Sequence, residues 1–114
     1  MTTQQYNFCV AETASYTDRA AYISDLALSS MWESSETGAI DLNLVDDLGA
    51  IWDACQRSPK EIAADAGLSQ RKLAERFYVP YRTVEDWCSG ARGCNLYLRL
   101  MMQECLGLLN VIDG

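Results

Sequence analysis

Between Ser58 and Asn95 the chain is cut about every ten residues by a helix stop followed at once by a helix start. Ser58-Pro59-Lys60-Glu61 is an S-x-x-E capping box with proline at the first helical position, and Gly67 suits the C-terminal stop. Ser69 caps a helix over about Gln70 to Phe77. Tyr78-Val79-Pro80 reads as a turn, because proline lacks the N–H that would continue a helix. A further helix follows from about Tyr81 to Ser89, with Gly90 as its stop, and Asn95 caps a last, very apolar helix to about Leu108. Ile62, Ala63, Ala66, Leu73, Ala74, Phe77, Val84 and Trp87 face inward at helical spacing.

The front of the chain carries longer amphipathic patterns. One helix is predicted from about Asp18 to Trp32, with Thr17 as N-cap and Tyr22, Ile23, Leu26, Ala27 and Met31 on its apolar face; Ser34-Ser35-Glu36-Thr37-Gly38 breaks it. A second spans about Leu42 to Gln56, where Leu44, Val45, Leu48, Ile51, Trp52 and Cys55 form one stripe and Asp46, Asp47 and Asp53 lie off it. That stripe packs on the rest of the domain or forms a dimer seam. Residues 1–14 are ambiguous: Tyr6-Asn7-Phe8-Cys9-Val10 fits a short strand, but a lone strand has nothing to pair with, which leaves an extended arm or a frayed lead-in. Nothing predicts a sheet. The expected fold is all-α, a compact helical bundle with a helix-turn-helix, preceded by two amphipathic helices.

Charge separates the same two regions. The 114 residues carry a net −7 and no histidine, which removes histidine-based triads, zinc sites and acid–base chemistry. Residues 1–56 hold one base, Arg19, against nine acids; residues 57–114 hold eight bases and seven acids, a net +1. The expected organisation is therefore an acidic helical extension over 1–57, for oligomerisation or partner binding, and a helix-turn-helix domain over 58–114. The five cysteines are odd in number with no C-x-x-C pair, as suits a reduced, cytoplasmic protein, and Cys55, Cys88 and Cys105 read as small buried hydrophobes. No secretory signal is visible. The apolar tail Leu96–Ile112 contains Arg99, Gln103 and Glu104 and is too short for a membrane span, so no membrane association is expected.

Two short helices joined by a tight turn inside a cluster of bases form the helix-turn-helix pattern. Ala74 sits where the second helix crosses the first, a position that demands a small side chain. Leu73, Phe77, Val79, Val84 and Trp87 supply the apolar contacts that set the crossing. The run Gly67-Leu68-Ser69-Gln70-Arg71-Lys72-Leu73-Ala74-Glu75-Arg76-Phe77, then Val79-Pro80-Tyr81-Arg82-Thr83-Val84-Glu85-Asp86-Trp87, then Ser89-Gly90-x-Arg92, resembles the Xre, or lambda-repressor-like, helix-turn-helix family. The resemblance covers about residues 59–109. Three features depart from the family pattern: Tyr78 stands where glycine is common, Asn95 replaces a proline, and Glu85 and Asp86 place two acids on the outer side of the recognition helix.

The resemblance implies a sequence-specific DNA-binding transcriptional regulator of bacterial, phage or mobile-element type, with double-stranded DNA as partner. Gln70 and Arg71 match the phosphate-positioning pair; Tyr81, Arg82 and Glu85 match base-facing positions, with Arg82 as guanine reader; Thr83 and Arg92 match phosphate contacts. Arg57, Lys60 and Arg99 read as solvated surface bases. A homodimer through the N-terminal helices and a protein partner are the further expectations. The alternative reading is a helix-turn-helix-fold protein-interaction module, antitoxin-like or accessory, without strong DNA binding. Catalysis is not expected: adjacent acids such as Asp46 and Asp47 diverge by about 100° on a helix, and no phosphate loop, nucleophile elbow or metal-ligand spacing is present. No cofactor or metal is called for.

Overall fold

Helix punctuation in the sequence becomes helix boundaries in the computed structural model, which describes residues 1–29, Trp32 and 42–112, the side chain of Leu42 excepted. The elements are α1 (Thr3–Glu12), a 3-10 turn (Thr13–Ser15), α2 (Arg19–Ala27), α3 (Leu42–Gln56), α4 (Pro59–Asp65), α5 (Gln70–Arg76), α6 (Tyr81–Ser89) and α7 (Leu96–Cys105). The described residues contain no strand, and the fold is all-α.

The chain divides into two packed units, one of residues 1–53 with the C-terminal residues from Val111, the other of Ala54–Asn110. In the first unit, α1 replaces the strand or extended arm expected for Tyr6–Val10. Its start is a full capping box: the Thr2 hydroxyl accepts from the Gln5 N–H at 3.1 Å, and the Gln5 side-chain oxygen accepts from the Thr2 N–H at 2.8 Å. With two orphan donors satisfied, a helix turns Tyr6, Cys9 and Val10 to one buried face. The N-terminal amine donates to the Val111 carbonyl at 2.9 Å. Asp18, not Thr17, is the N-cap of α2, its carboxylate accepting from the Ala21 N–H at 3.2 Å.

Helix α2 is shorter than its apolar pattern, ending at Ala27 rather than Trp32. The Trp32 indole instead donates back to the Leu26 carbonyl at 2.6 Å, which also accepts from the Ser29 N–H at 3.1 Å. Met31 and the break expected at Ser34–Gly38 lie outside the described residues. Fully buried Tyr22 organises this unit: its hydroxyl donates to the Cys9 carbonyl at 2.7 Å, and its ring meets the Trp52 ring of α3 at 5.1 Å. Arg19 grips Asp53 with two nitrogens, at 3.0 and 3.2 Å, lying across Gly49, where a Cβ would meet its Nη2.

In the second unit the caps stand where the sequence puts them. Ser58 and Glu61 form the capping box with Pro59 at the first position. Gly67, at φ +70°, lets the Leu68 N–H reach back to the Ala63 carbonyl at 2.8 Å. Ser69 and Asn95 accept from the Lys72 and Tyr97 N–H groups. Gly90, at φ +84°, ends α6. Helix α7 stops at Cys105, short of Leu108, where the Leu108 N–H turns back to the Gln103 carbonyl at 2.8 Å. Ala63, Leu73, Ala74 and Val84 form the buried centre, with Phe77, Val79 and half-buried Trp87 packed on it. Cys55 is buried and Cys88 half-buried, but Cys105 is exposed, because it lies on the last turn of α7 away from the core.

Two further bases are structural. Arg99, half-buried on α7, donates to the carbonyls of Cys55 at 3.1 Å and Arg57 at 2.8 Å, capping the end of α3, and to Cys94 at 3.3 Å. Half-buried Arg57 pairs with Asp65 at 3.1 Å and donates to Gln103, whose fully buried amide donates to the Ala54 carbonyl at 2.9 Å. Neither is the solvated base that its position in the sequence suggests, because the unsatisfied carbonyls of a helix end need donors.

Candidate functional site

Helices α5 and α6 are joined by three residues, Tyr78-Val79-Pro80, preceded by the α5 C-cap Phe77. The turn closes because the Val79 N–H bonds the Ala74 carbonyl at 2.9 Å, which requires the residue between them and the proline to reverse the chain. Tyr78 does so at φ +55°, the left-handed region that a β-carbon disfavours. Its ring is 95% exposed, so no packing offsets that conformation. Ala74 and Val84 meet in the core beneath the turn, and the small side chain of Ala74 lets the two helices approach.

This crossing leaves the start of α5 and the outer side of α6 on a shared open surface. An open hollow of about 360 Å3 is lined by Gln70 from α5 and by Arg82, Glu85, Asp86, Cys88 and Ser89 from α6. Beside it, the Arg71 guanidinium lies over the Tyr81 ring, 4.1 Å from its centroid, joining the first turns of both helices. Exposed Arg82 directs Nε to Asp86 Oδ1 at 3.3 Å. Glu85 is exposed next to it.

The site residues expected from the sequence fall into three groups. Gln70, Arg82 and Glu85 share the hollow, and Arg71 and Tyr81 form the stacked pair. Thr83 is half-buried in the first turn of α6, its N–H bonded to the Pro80 carbonyl at 2.9 Å. Arg92 is exposed beyond the end of α6, where its N–H donates to the Asp86 carbonyl at 3.1 Å. Asp86, Cys88 and Ser89 were not among the expected site residues. The i, i+4 spacing of Arg82 and Asp86 is the signal that could have found the first of them.

Electrostatically the surface is mixed. Lys72 pairs with Glu75 at 3.4 Å and Arg82 with Asp86, whereas Arg71, Arg76 and Arg92 have no carboxylate partner among the described residues. Burial pushes the Cys88 thiol above its ordinary pKa against the opposing charge of Lys60, and pushes Cys94 up against that of Arg99. In both, burial favours the thiol over the thiolate. Among the described residues no three of His, Cys, Asp and Glu cluster as metal ligands would.

No known protein family, characterised protein or solved structure matches the chain. The hollow offers the Arg82 guanidinium with its Nε on Asp86, the Gln70 amide, the Glu85 carboxylate and the exposed Ser89 hydroxyl, on an open rather than an enclosed surface, with Arg71 stacked on half-buried Tyr81 beside it. Among the described residues no helix is long and apolar enough to cross a membrane.

Proposed function

We propose that the protein is a sequence-specific DNA-binding transcriptional regulator of Xre-like helix-turn-helix type, with α6 as the helix that enters the major groove. The carrying observation is that Gln70 at the start of α5 and Arg82 and Glu85 on α6 line one open hollow, with Arg71 stacked on Tyr81 beside it. In this reading Arg71, Thr83 and Arg92 contact phosphates, Gln70 fixes the register of α5 on the backbone, and Tyr81, Arg82 and Glu85 face base edges. Cytosine N4 is a donor that the Glu85 carboxylate can accept from.

The near-neutral charge of residues 57–114 supports weak binding by one copy, so the functional species on DNA is a dimer, with residues 1–57 as the region for self-association or a protein partner. Cellular placement in the cytoplasm follows from the same role. The second reading, a protein-interaction module on the same bundle, is favoured by the exposed Glu85 carboxylate on the outer side of α6.

The test is enrichment of a pool of randomised duplexes on the immobilised full chain, followed by titration of the enriched site in rising salt. The expected result is a defined consensus, affinity that falls steeply with salt, and loss of preference at one position in Arg82→Ala. No enrichment, with a protein partner retained instead, overturns the DNA reading in favour of the second.

A further inference from the structure

Arg82 and Asp86 stand one helical turn apart on α6, yet their side chains are exposed very differently, 85% against 22%. The arginine projects while the carboxylate is recessed. Asp86 is held at its own backbone as well: its carbonyl accepts from the Arg92 N–H at 3.1 Å and from the Ser89 hydroxyl at 3.3 Å. The carboxylate therefore sits on a well-tied stretch of helix and receives Arg82 Nε at 3.3 Å. A guanidinium has five N–H donors in a rigid fork. With Nε engaged, the two terminal nitrogens remain, the pair that reads O6 and N7 of a guanine.

We propose that Asp86 is a positioning residue that holds Arg82 with its terminal nitrogens free to read one guanine, so that it sets sequence preference rather than simply repelling phosphates. The inference rests on the DNA-binding reading above. Two physical effects of the same carboxylate have opposite signatures. An unpaired acid on a DNA-facing surface weakens binding to every sequence alike. An anchor acts on preference: a long side chain that nothing holds beforehand must be ordered on binding, which weakens recognition about three- to tenfold.

The experiment compares the full-length wild type with Asp86→Ala, Arg82→Ala and the double variant, using the site enriched by the wild type and a scrambled duplex as probes. Asp86→Ala is expected to leave scrambled-duplex affinity unchanged or raised, and to lower the preference for the enriched site about three- to tenfold. In the Arg82→Ala background the same substitution is expected to leave preference unaltered, which a merely structural role would not do. Asp86→Leu, similar in volume, helix-favouring and without an acceptor for Arg82 Nε, serves as the second variant if alanine unfolds α6, with the same outcomes expected. An equal gain on both probes, with preference intact, overturns this inference alone. A wild type that enriches no sequence overturns both the inference and the reading beneath it.

Discussion

The guanidinium of Arg71 lies 4.1 Å from the centroid of the Tyr81 ring, so the first turns of α5 and α6 are joined by one cation–π contact. The contact is exposed and contributes on the order of 0.5–1 kcal/mol. Its consequence is positional: it keeps the guanidinium charge next to the first residue of the proposed recognition helix. Arg71→Ala is expected to reduce the slope of log affinity against log salt by about one, measured by fluorescence anisotropy on any duplex. Tyr81→Leu retains the charge and should keep the slope while weakening binding by about threefold. Equal slopes in wild type and Arg71→Ala would remove Arg71 from the phosphate contacts.

Tyr78 holds a left-handed backbone with its ring in solvent. A residue with a β-carbon is disfavoured there by about 1–2 kcal/mol, while asparagine tolerates the region and forfeits no packing. Tyr78→Asn should therefore stabilise the fold by about 0.5–1 kcal/mol, read as a higher urea midpoint at unchanged m-value. A lower midpoint would mean that the exposed ring stabilises the turn in some way its surroundings do not display.

Arg99 donates to three carbonyls, two at the end of α3 and one before α7. Arg99→Met keeps the apolar stem and removes the donors that three carbonyls share. A loss of about 2–3 kcal/mol is expected in chemical denaturation. Binding measured well below the melting temperature should be unaffected, because Arg99 is spent on the fold and not on the α5–α6 surface.

The Cys9 thiol is fully buried, and burial pushes its pKa up to about 11 from 9.0, with the nearby Glu12 charge adding to the shift. The folded state keeps the proton that the unfolded state loses first, so stability is intact below about pH 9 and falls as pH rises towards 11. The fall attributable to this group is on the order of 3 kcal/mol. Thermal melts from pH 8 to pH 11 should show a shallower decline in Cys9→Ala than in the wild type. Parallel declines would assign the alkaline loss to other groups.

The rear unit was readable in advance because its boundaries depend on neighbours only a few residues apart. Ser58 and Glu61, Ser69 and Lys72, and Asn95 and Tyr97 meet across one turn of backbone, so side-chain type and spacing suffice to place the helix starts. The first helix followed the same rule: Thr2 and Gln5 form a capping box, but Tyr6–Val10 also has strand propensity, and only the cap decides between them. Helix α2 ends at Ala27, before its apolar pattern does, for the opposite reason. Its apolar periodicity runs on to Trp32, while the indole turns back to the Leu26 carbonyl and competes with the next turn.

Chain chemistry alone was enough to determine an all-helical fold, the turn at Tyr78–Pro80 and the residues available to the outer side of α6, because caps, proline and glycine act locally. Which charges are free was decided by tertiary packing. Arg99 and Arg57 look like surface bases in the sequence, but the carbonyls at the end of α3 and the buried Gln103 amide draw them inward. Arg71 and Arg82 look equally exposed, yet one lies on an aromatic ring and the other against a recessed carboxylate. A charge goes to whichever partner is left unsatisfied within reach, and that depends on helices distant in sequence being brought together.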